Sequence, residues 1–431
     1  MNARGVPGRA SWGAKEPFVS ESVDSETTRA ADSEPARSAG RRPTGWRTKL
    51  VETEPLAPQG FRSLTTPVYR GSTTVARNAE TLADNWDHDK APYSYGLYGT
   101  PTTLELAARV CELEHGYRTF MAPGGQAALT LIYFAFTAAG EHVLIPESIY
   151  GPSREFADEL LARYGVEVSY YPPLVGGGIE ALIRPNTRLI WCESPGSVTM
   201  EIQDVPAIAA AAHRHGAVVA IDNTYSAGIY FDALAHGVDV TMQALTKYVG
   251  GHSDLLLGSV TVRDRAGYER VGRTQYNLGQ AVSPDDCSLA LRGMKTMAVR
   301  LDAIERSALA LARWFAARPE IETVLHPALP SCPGHELWLR DFTGSSGSFS
   351  VVFRPGTSRA AINAFADALQ LFAIGYSWGG VSSVVAPWSL RQYRGPYGER
   401  LVRLYVGLEE TADLIADLEA GLAALARVDS P

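Results

Sequence analysis

The stretch Asp239-Val-Thr-Met-Gln-Ala-Leu-Thr-Lys247-Tyr-Val-Gly-Gly-His252-Ser-Asp254 joins a strand-like segment to a lysine and a glycine-rich turn. Residues 238–245 are mostly apolar, which is typical of a buried strand, and the turn after Lys247 ends that strand. In open α/β sheets, ligands bind outside the carboxyl ends of the strands. The stretch therefore predicts an α/β protein in which the amine of Lys247 lies in a ligand site.

A second strand end supplies a carboxylate. The segment Ala217-Val-Val-Ala-Ile221 has the composition of a strand and is followed by Asp222-Asn-Thr224. A lysine and a carboxylate at two strand ends suit pyridoxal phosphate (PLP), because the lysine forms a Schiff base and the carboxylate keeps the pyridine nitrogen protonated. A lysine after a strand is more often a solvated strand end, so this interpretation depends on further motifs.

Composition narrows the class of protein. The chain has 431 residues, of which 45% are hydrophobic and 20% charged, as expected of a globular protein with two or three domains. A net charge of −8 without a basic block argues against a nucleic-acid partner. The longest apolar run, 127–139, falls short of the roughly 18 residues that a membrane span requires, so we expect no membrane partner.

The cysteines carry a separate indication. The chain has four cysteines, Cys111, Cys192, Cys287 and Cys332, and their spacing is neither that of disulfide pairs nor that of metal ligands. We therefore expect reduced thiols in a cytoplasmic protein with no metal site.

Composition and periodicity divide the chain into four parts. Residues 1–46 contain few large apolar side chains and are predicted to be a disordered tail, and 47–98 form a loop-rich arm. In 99–293, strands alternate with helices, which predicts a mostly parallel, helix-covered sheet. In 294–431, a long helix at 295–317 precedes short strands and more helices, which predicts a smaller α+β domain. The strands of the larger domain are predicted at 118–122, 141–146, 167–171, 189–193, 217–221 and 238–245.

Other strand ends carry weaker signals of the same kind. Pro123-Gly124-Gly125-Gln126 follows a strand and opens a helix, where free backbone N–H groups bind phosphate, although a Gly-Gly turn is more often an ordinary loop. Tyr150 follows another strand and could lay its ring over a planar cofactor, although packing is the commoner role. Glu193-Ser-Pro-Gly-Ser197 is a further strand-end loop, and Thr246 offers a hydroxyl group beside the lysine.

Arg403 places a charge inside the apolar segment Leu401-Val-Arg-Leu-Tyr-Val406. A buried charge is costly unless it is paired, and an arginine is suited to bind a carboxylate through two hydrogen bonds. An arginine on the solvent face of an edge strand explains this segment equally well.

Taken together and in order, these motifs resemble the Cys/Met-metabolism family of PLP-dependent enzymes, the γ-family of fold type I. The resemblance extends over 64–426 and is strongest to the cystathionine β-lyases within the family. Its most specific stretches are Tyr95-Gly-Leu-Tyr-Gly-Thr-Pro-Thr, Ala-Leu-Thr-Lys247-Tyr, Arg340-Asp-Phe-Thr-Gly-Ser-Ser-Gly347 and Tyr376-Ser-Trp-Gly-Gly380.

The resemblance implies a fold and a set of site residues. The expected fold is that of aspartate aminotransferase, with a mostly parallel seven-stranded sheet in a large domain and a smaller α+β C-terminal domain. The implied catalytic residues are Lys247, Tyr150 and Tyr95. Lys247 would form the internal aldimine and then shuttle protons, Asp222 would pair with the pyridinium, and Tyr150 would stack on the ring and relay a proton. Tyr95 would reach the phosphate or the substrate from a neighbouring subunit of a dimer of dimers. The other implied residues are Gly124, Gly125, Gln126, Thr224 and Thr246 for the cofactor, and Ser377, Arg403, Tyr376 and Trp378 for the amino-acid substrate.

Two reactions remain open. The first is α,β-elimination from a sulfur-containing amino acid through an aldimine and a quinonoid, which Tyr376 favours because members acting at Cγ commonly carry a glutamate there. The alternative is γ-elimination or γ-substitution through a vinylglycine ketimine, on an activated substrate such as S-adenosylmethionine. Leu97 favours the alternative because the family commonly has a phosphate-binding arginine at that position, and Gln126 and the long tail also depart from the pattern. A catalytically inactive scaffold is disfavoured because Lys247 and Asp222 are intact.

Overall fold

The structure, a computed structural model, describes residues 45–51, 63–388 and 396–429. The predicted disordered tail therefore lies outside the described residues, except for its last two positions, and a short helix, α1 (Trp46–Val51), begins at its final residue. Two sheets organise the described chain, one of seven strands and one of five. This is the predicted fold class, a mostly parallel sheet followed by a smaller sheet with its own helices.

The larger sheet has the strand order β1-β7-β6-β5-β4-β2-β3. β7 runs antiparallel to both of its neighbours, and the other pairings are parallel. The carboxyl ends of β1, β2, β4, β5 and β6 consequently meet at one edge of the sheet. The strands are β1 (Arg118–Ala122), β2 (His142–Pro146), β3 (Glu167–Tyr171), β4 (Thr187–Glu193), β5 (Val218–Asp222), β6 (Val240–Gln243) and β7 (Gly258–Val262).

Helices cover both faces of this sheet. They are α2 (Pro101–Leu113), α3 (Gly125–Phe136), α4 (Gly151–Glu155), α5 (Val205–Arg214) and α6 (Arg265–Leu278). On one face, α3 buries Leu131 and Ile132 in a cluster that contains Trp191. On the other face, α5 buries Ile208 against a cluster that contains Ile190. Burial of such side chains on both faces explains why the strands are apolar along their length, since each buried aliphatic side chain contributes about 1.5–3 kcal/mol.

The long helix α7 (Pro284–Ala316) begins well before residue 295, where periodicity predicted it. The Ser283 side chain accepts a hydrogen bond from the amide of Asp285, and Asp285 and Asp286 lie in the first turn, where acidic groups interact favourably with the helix dipole. α7 contributes Met294 to one hydrophobic cluster and Phe315 to the core of the smaller sheet. The predicted boundary between domains, at 293–294, falls inside this helix, and the division into domains stays a prediction.

The smaller sheet has the order β10-β11-β12-β9-β8, so β12 is its central strand. Arg403 in β12 is only 6% exposed, and the alternative of a solvent-facing arginine on an edge strand is therefore wrong. The strands are β8 (Ile321–Leu325), β9 (Ser348–Phe353), β10 (Ala373–Ile374), β11 (Val384–Pro387) and β12 (Leu401–Tyr405), with helices α8 (His335–Asp341), α9 (Arg359–Asp367) and α10 (Thr411–Asp429).

The described residues show neither a membrane-spanning helix nor a cluster of metal-binding side chains. Within the described ranges, no helix combines the length and the apolar character needed to cross a bilayer. The same residues contain no group of three or more His, Cys, Asp or Glu side chains placed to hold a metal ion. All four cysteines are free thiols.

Candidate active site

The candidate site lies at the edge where the carboxyl ends of the parallel strands meet. β2 and β4 are neighbours, while the chain leaves β2 to form β3 on its outer side, so the sheet has a topological switch point between them. Ligand crevices of open α/β sheets occur at such points. Tyr150 follows β2, Glu193 ends β4, Asp222 ends β5 and Lys247 follows β6.

Lys247 lies in a tight turn after β6. The turn is closed by hydrogen bonds from the amide of Lys247 to Ala244 O at 3.0 Å and from the amide of Gly251 to Lys247 O at 2.7 Å. Its Nζ donates a hydrogen bond to Ser377 Oγ at 2.5 Å and lies 5.3 Å from the centre of the Trp378 ring. The amine is thus fixed between the two sheets by residues that lie far apart in the sequence.

The loop that contacts Lys247 is held from both sides. Ser377 has a φ of 75°, unusual for a residue with a side chain. A Cβ on Gly379 would lie 2.7 Å from Lys247 Cα, so the two backbones approach as closely as they do because this position is glycine. The Tyr405 hydroxyl donates a hydrogen bond to Gly380 O at 2.6 Å and ties the loop to β12.

The pKa of Lys247 is lowered from its usual 10.5 to about 8, mainly by burial and then by the nearby positive charge of Arg403, while the negative charge of Asp222 acts in the opposite direction. A lysine with such a pKa provides an appreciable fraction of neutral, nucleophilic amine near neutral pH.

This pKa predicts how Lys247 reacts in the cofactor-free protein. Because the neutral amine appears as the pH rises through about 8, acetylation of Lys247 should be half-maximal near that pH. Peptide mass spectrometry after brief acetylation at graded pH measures this. Replacement of Arg403 by methionine should shift the midpoint upwards, since it removes a positive charge. A midpoint near 10.5 in the wild-type protein would contradict the prediction.

Asp222 ends β5; the residue as a whole is partly exposed, but its carboxyl group is buried. It accepts a hydrogen bond from the amide of Thr224 at 2.9 Å, and Thr224 Oγ1 in turn accepts one from the amide of Ala244 at 2.9 Å. Burial raises the pKa of Asp222, while the bonds from Thr224 and the charge of Lys247 act in the opposite direction. A carboxylate in this setting is stabilised by a further cationic partner.

The glycine turn before α3 packs closely on the lysine loop. Gly124 has a φ of 129°, and a Cβ on Gly125 would lie 2.7 Å from Ala244 Cβ. The amides in the first turn of α3 have no partner within the helix, which makes this end a phosphate-binding element. The Gln126 side chain donates to Pro152 O at 3.2 Å, and the Thr246 hydroxyl bonds the backbone of Leu257 at 3.1 and 3.0 Å.

Tyr150 stands at the beginning of α4. Its amide donates a hydrogen bond to Glu193 Oε2 at 2.7 Å, and its side chain is 43% exposed. Burial of the hydroxyl, and then the charge of Asp222, raise the pKa of Tyr150. The phenol is therefore protonated at neutral pH, and the exposed ring offers a surface for a planar ligand.

Arg403 is a buried cation beside aromatic rings. Its guanidinium carbon lies 5.2 Å from the centre of the Trp388 ring, and the Tyr376 ring lies 5.8 Å from that of Trp388. It makes no ion pair with any carboxylate of the described residues. Burial lowers the pKa of Arg403 to about 10, so a carboxylate from a ligand would offset an unfavourable charge.

Not all predicted residues come together. Tyr95 lies beside Tyr98, with ring centres 6.0 Å apart, and Tyr98 lies 5.8 Å from Tyr276 on α6. Among the described residues, Tyr95 makes no hydrogen bond or ring contact with Lys247, Asp222 or Arg403, and Leu97 in the same arm is partly buried. The predictions assigned no role to Glu193 or Trp388. A carboxylate at the end of an apolar strand, the signal that identified Asp222, also marks Glu193.

The described residues fit PLP. The Lys247 amine, whose pKa is lowered, suits the aldehyde of PLP. The buried Asp222 carboxylate suits its pyridine nitrogen, and the free amides at the start of α3 suit its phosphate. Arg403, which is buried and has no ion-pair partner among the described residues, is placed to hold the carboxylate of an amino acid beside them.

Comparison with known proteins gives consistent matches. The Cys/Met metabolism PLP-dependent enzyme family matches residues 47–423. The cystathionine beta-lyase MetC of Escherichia coli is 42% identical over 339 residues, which are 76% of this chain and 85% of that protein. The cystathionine beta-lyase of Bordetella avium is 41% identical over 371 residues, 84% of this chain and 93% of that protein. The crystal structure of cystathionine gamma-lyase from Lactobacillus plantarum complexed with L-serine has a TM-score of 0.82 and 27% identity, covering 89% and 99% of the two chains.

Proposed function

Because the chain belongs to the Cys/Met metabolism family of PLP-dependent enzymes, we propose that it is a carbon–sulfur lyase that cleaves the Cβ–S bond of an amino acid such as cystathionine. The observation that carries this proposal is that Lys247 and Asp222 lie at one edge of the larger sheet, while Arg403 of the smaller sheet lies close enough to act on the charge of Lys247. Relatives that are 41–42% identical over most of the chain bear the name cystathionine beta-lyase, which supports the same reaction.

Several residues would hold the cofactor. Lys247 would bind its aldehyde, Asp222 its ring nitrogen, Tyr150 its ring face and the first turn of α3 its phosphate, with Gln126, Thr224 and Thr246 at the margins. When bound, PLP supplies an electron sink that makes the Cα proton of an amino acid acidic.

The remaining chemistry belongs to side chains of this chain. Arg403 and Ser377 bind the α-carboxylate, which orients the Cα–H bond towards the lysine amine. Lys247 takes the Cα proton, and the Cβ–S bond breaks to release a thiol. Addition of water completes the balance, so that cystathionine and water give homocysteine, pyruvate and ammonia.

The identity of the keto acid tests this reaction. We expect purified protein to convert cystathionine to pyruvate, because Tyr376, whose ring leans on Trp388, offers a weaker acid–base group near Cβ and Cγ than a glutamate would. Mass spectrometry of products from cystathionine, cystine, O-acetylhomoserine and S-adenosylmethionine is the measurement. Formation of 2-oxobutyrate or a γ-substituted product, without pyruvate from any thioether, would rule out β-elimination and support the γ alternative.

Leu97 is the residue that supports the alternative reaction, γ-elimination or γ-substitution. It is partly buried in the arm that carries Tyr95, and it offers no charge to a phosphate or an anionic substrate. An apolar side chain at that position would tolerate a bulkier or cationic substrate, for which an arginine would be repulsive.

We also propose that the protein acts in the cytoplasm as a dimer of dimers. Large apolar side chains of the arm and nearby loops are exposed, with Val75 at 89%, Leu82 at 71% and Leu256 at 72%. Exposed apolar side chains in such numbers favour contact with another subunit, and Tyr95 would then reach a neighbouring site. Light scattering measures the molar mass of the protein in solution, and a mass equal to that of one chain would contradict the proposed dimer of dimers.

A further inference from the structure

Glu193 is a second buried carboxylate beside Asp222. The two residues are Cα partners in the parallel register of β4 and β5, so their side chains leave the same face of the sheet. Trp191 and Ala220, two residues earlier in each strand, belong to one hydrophobic cluster on that face. Glu193 is 7% exposed, and the mechanism above leaves it without a role.

The carboxyl group of Glu193 is hydrogen-bonded to Tyr150, the residue proposed to stack on the PLP ring. Glu193 Oε2 accepts a hydrogen bond from the amide of Tyr150 at 2.7 Å. Tyr150 precedes α4, so this amide has no partner within the helix and depends on an outside acceptor. Glu193 is itself fixed, because its own amide donates to Gln203 Oε1 at 2.8 Å.

Two buried carboxylates side by side do not both ionise readily. The charged and titratable groups recorded beside Glu193 are Asp222, Glu201 and the phenols of Tyr133 and Tyr150, none of which is cationic. Hydrogen bonds from the Ser197 hydroxyl and the Tyr150 amide favour the ionised form and oppose the effect of burial. Burial, and then the charge of Asp222, raise the pKa of Glu193 well above its usual range. Asp222 receives the bonds from Thr224 and the charge of Lys247, which favour its ionised form.

We propose that Glu193 is a positioning residue whose neutral carboxyl group anchors the amide of Tyr150 and leaves Asp222 as the single anion of the pair. The position of the Tyr150 ring over the site then depends on β4, a rigid strand, rather than on the short helix α4. This inference rests on the proposed placement of PLP between Tyr150 and Asp222.

Two substitutions of nearly equal volume separate the parts of this proposal. Glu193→Gln keeps an acceptor oxygen without charge, and Glu193→Met keeps the volume without an acceptor. We expect Glu193→Gln to bind PLP with near wild-type affinity. Glu193→Met should weaken PLP binding and lower kcat by about tenfold each, because it leaves the Tyr150 amide unbonded, while KM changes little. The visible circular dichroism of bound PLP should fall in Glu193→Met alone.

The cofactor-free protein provides an independent measurement. Hydrogen exchange at the Tyr150 amide should be about tenfold faster in Glu193→Met than in the wild type, and unchanged in Glu193→Gln. Glu201→Met is the control for removal of a neighbouring carboxylate, because Glu201 follows β4 and accepts a hydrogen bond from Thr199 rather than from the Tyr150 amide. It should leave hydrogen exchange at the Tyr150 amide unchanged.

The outcomes are distinct. Equal exchange, PLP affinity and dichroism in Glu193→Met and wild type would overturn the anchoring role. A loss in Glu193→Gln as large as in Glu193→Met would overturn the neutral state, since charge would then be needed. A wild-type protein that binds no PLP would count against the proposed function, while the exchange measurement would still test the anchor.

Discussion

Replacement of Lys247 by alanine is expected to lower kcat/KM for cystathionine by about four orders of magnitude, because one amine serves as both cofactor ligand and proton carrier. The lowered pKa of Lys247 and its contact with Ser377 are the structural reasons for expecting so large an effect from one side chain. Steady-state kinetics measures the loss. Borohydride treatment of the wild type should fix PLP to the peptide that contains Lys247.

Two controls make this result specific. Lys90 is an exposed lysine outside the site that pairs with the buried carboxylate of Asp87, and Lys90→Ala should retain full activity. Added methylamine should partly restore Lys247→Ala, since a small amine can occupy the space of the missing group. Fixation of PLP to another lysine, or undiminished turnover in Lys247→Ala, would refute the assignment of the amine.

The strand ends were the most predictable part of the structure. The strands that precede Gly124, Tyr150, Glu193 and Asp222 lie where alternation of helix and strand predicted them. Their carboxyl ends share an edge because right-handed crossovers keep successive strands parallel. An apolar run followed by a polar residue is a signal in the local sequence. This signal was therefore sufficient to find most of the site residues that the larger sheet contributes.

Other elements left too weak a local signal. β7 and α6 were not predicted, since Gly, Ser and Thr interrupt the apolar character of β7 and α6 is mostly polar, with buried contacts at Tyr268, Val271 and Gly272. β6 ends at Gln243 rather than at 245, because the close packing of Ala244 on Gly125 begins the turn. Periodicity cannot register such contacts between distant residues.

The placement of the other site residues depends on tertiary structure. Ser377 meets Lys247 across 130 positions of sequence, and Arg403 meets the Trp388 ring from a neighbouring strand. The segment around Arg403 allowed both a buried and an exposed position, and the central place of β12 in the smaller sheet decided between them. The order in which strands pair, which the sequence of a single strand does not specify, thus determines that Arg403 is buried and makes it a candidate to bind a carboxylate.

Replacement of Arg403 by methionine is expected to stabilise the cofactor-free protein. Burial lowers the pKa of Arg403 from 12.5 to about 10, which corresponds to a cost of about 3 kcal/mol for keeping the charge in the folded state. Since the folded pKa lies below the unfolded one, this cost is fully present below pH 10 and falls as the pH rises from 10 towards 12.5. Methionine removes the charge and keeps most of the volume, so the melting temperature at neutral pH should rise.

The same substitution should lower kcat/KM by two to three orders of magnitude, about 3–4 kcal/mol, because a buried carboxylate of the substrate would lose its charged partner. The opposite signs distinguish a binding residue from a structural one, since loss of a structural arginine would reduce stability and activity together. The control is a cystathionine analogue that lacks one α-carboxylate, the one on the half of the molecule whose Cβ–S bond is cleaved. Wild type and Arg403→Met should turn over this analogue equally slowly. Arg403→Lys should keep the charge but lose the bidentate geometry and fall between the two. A variant that melts at a lower temperature, or that still prefers the intact amino acid by the wild-type factor, would show that Arg403 supports the fold rather than the substrate.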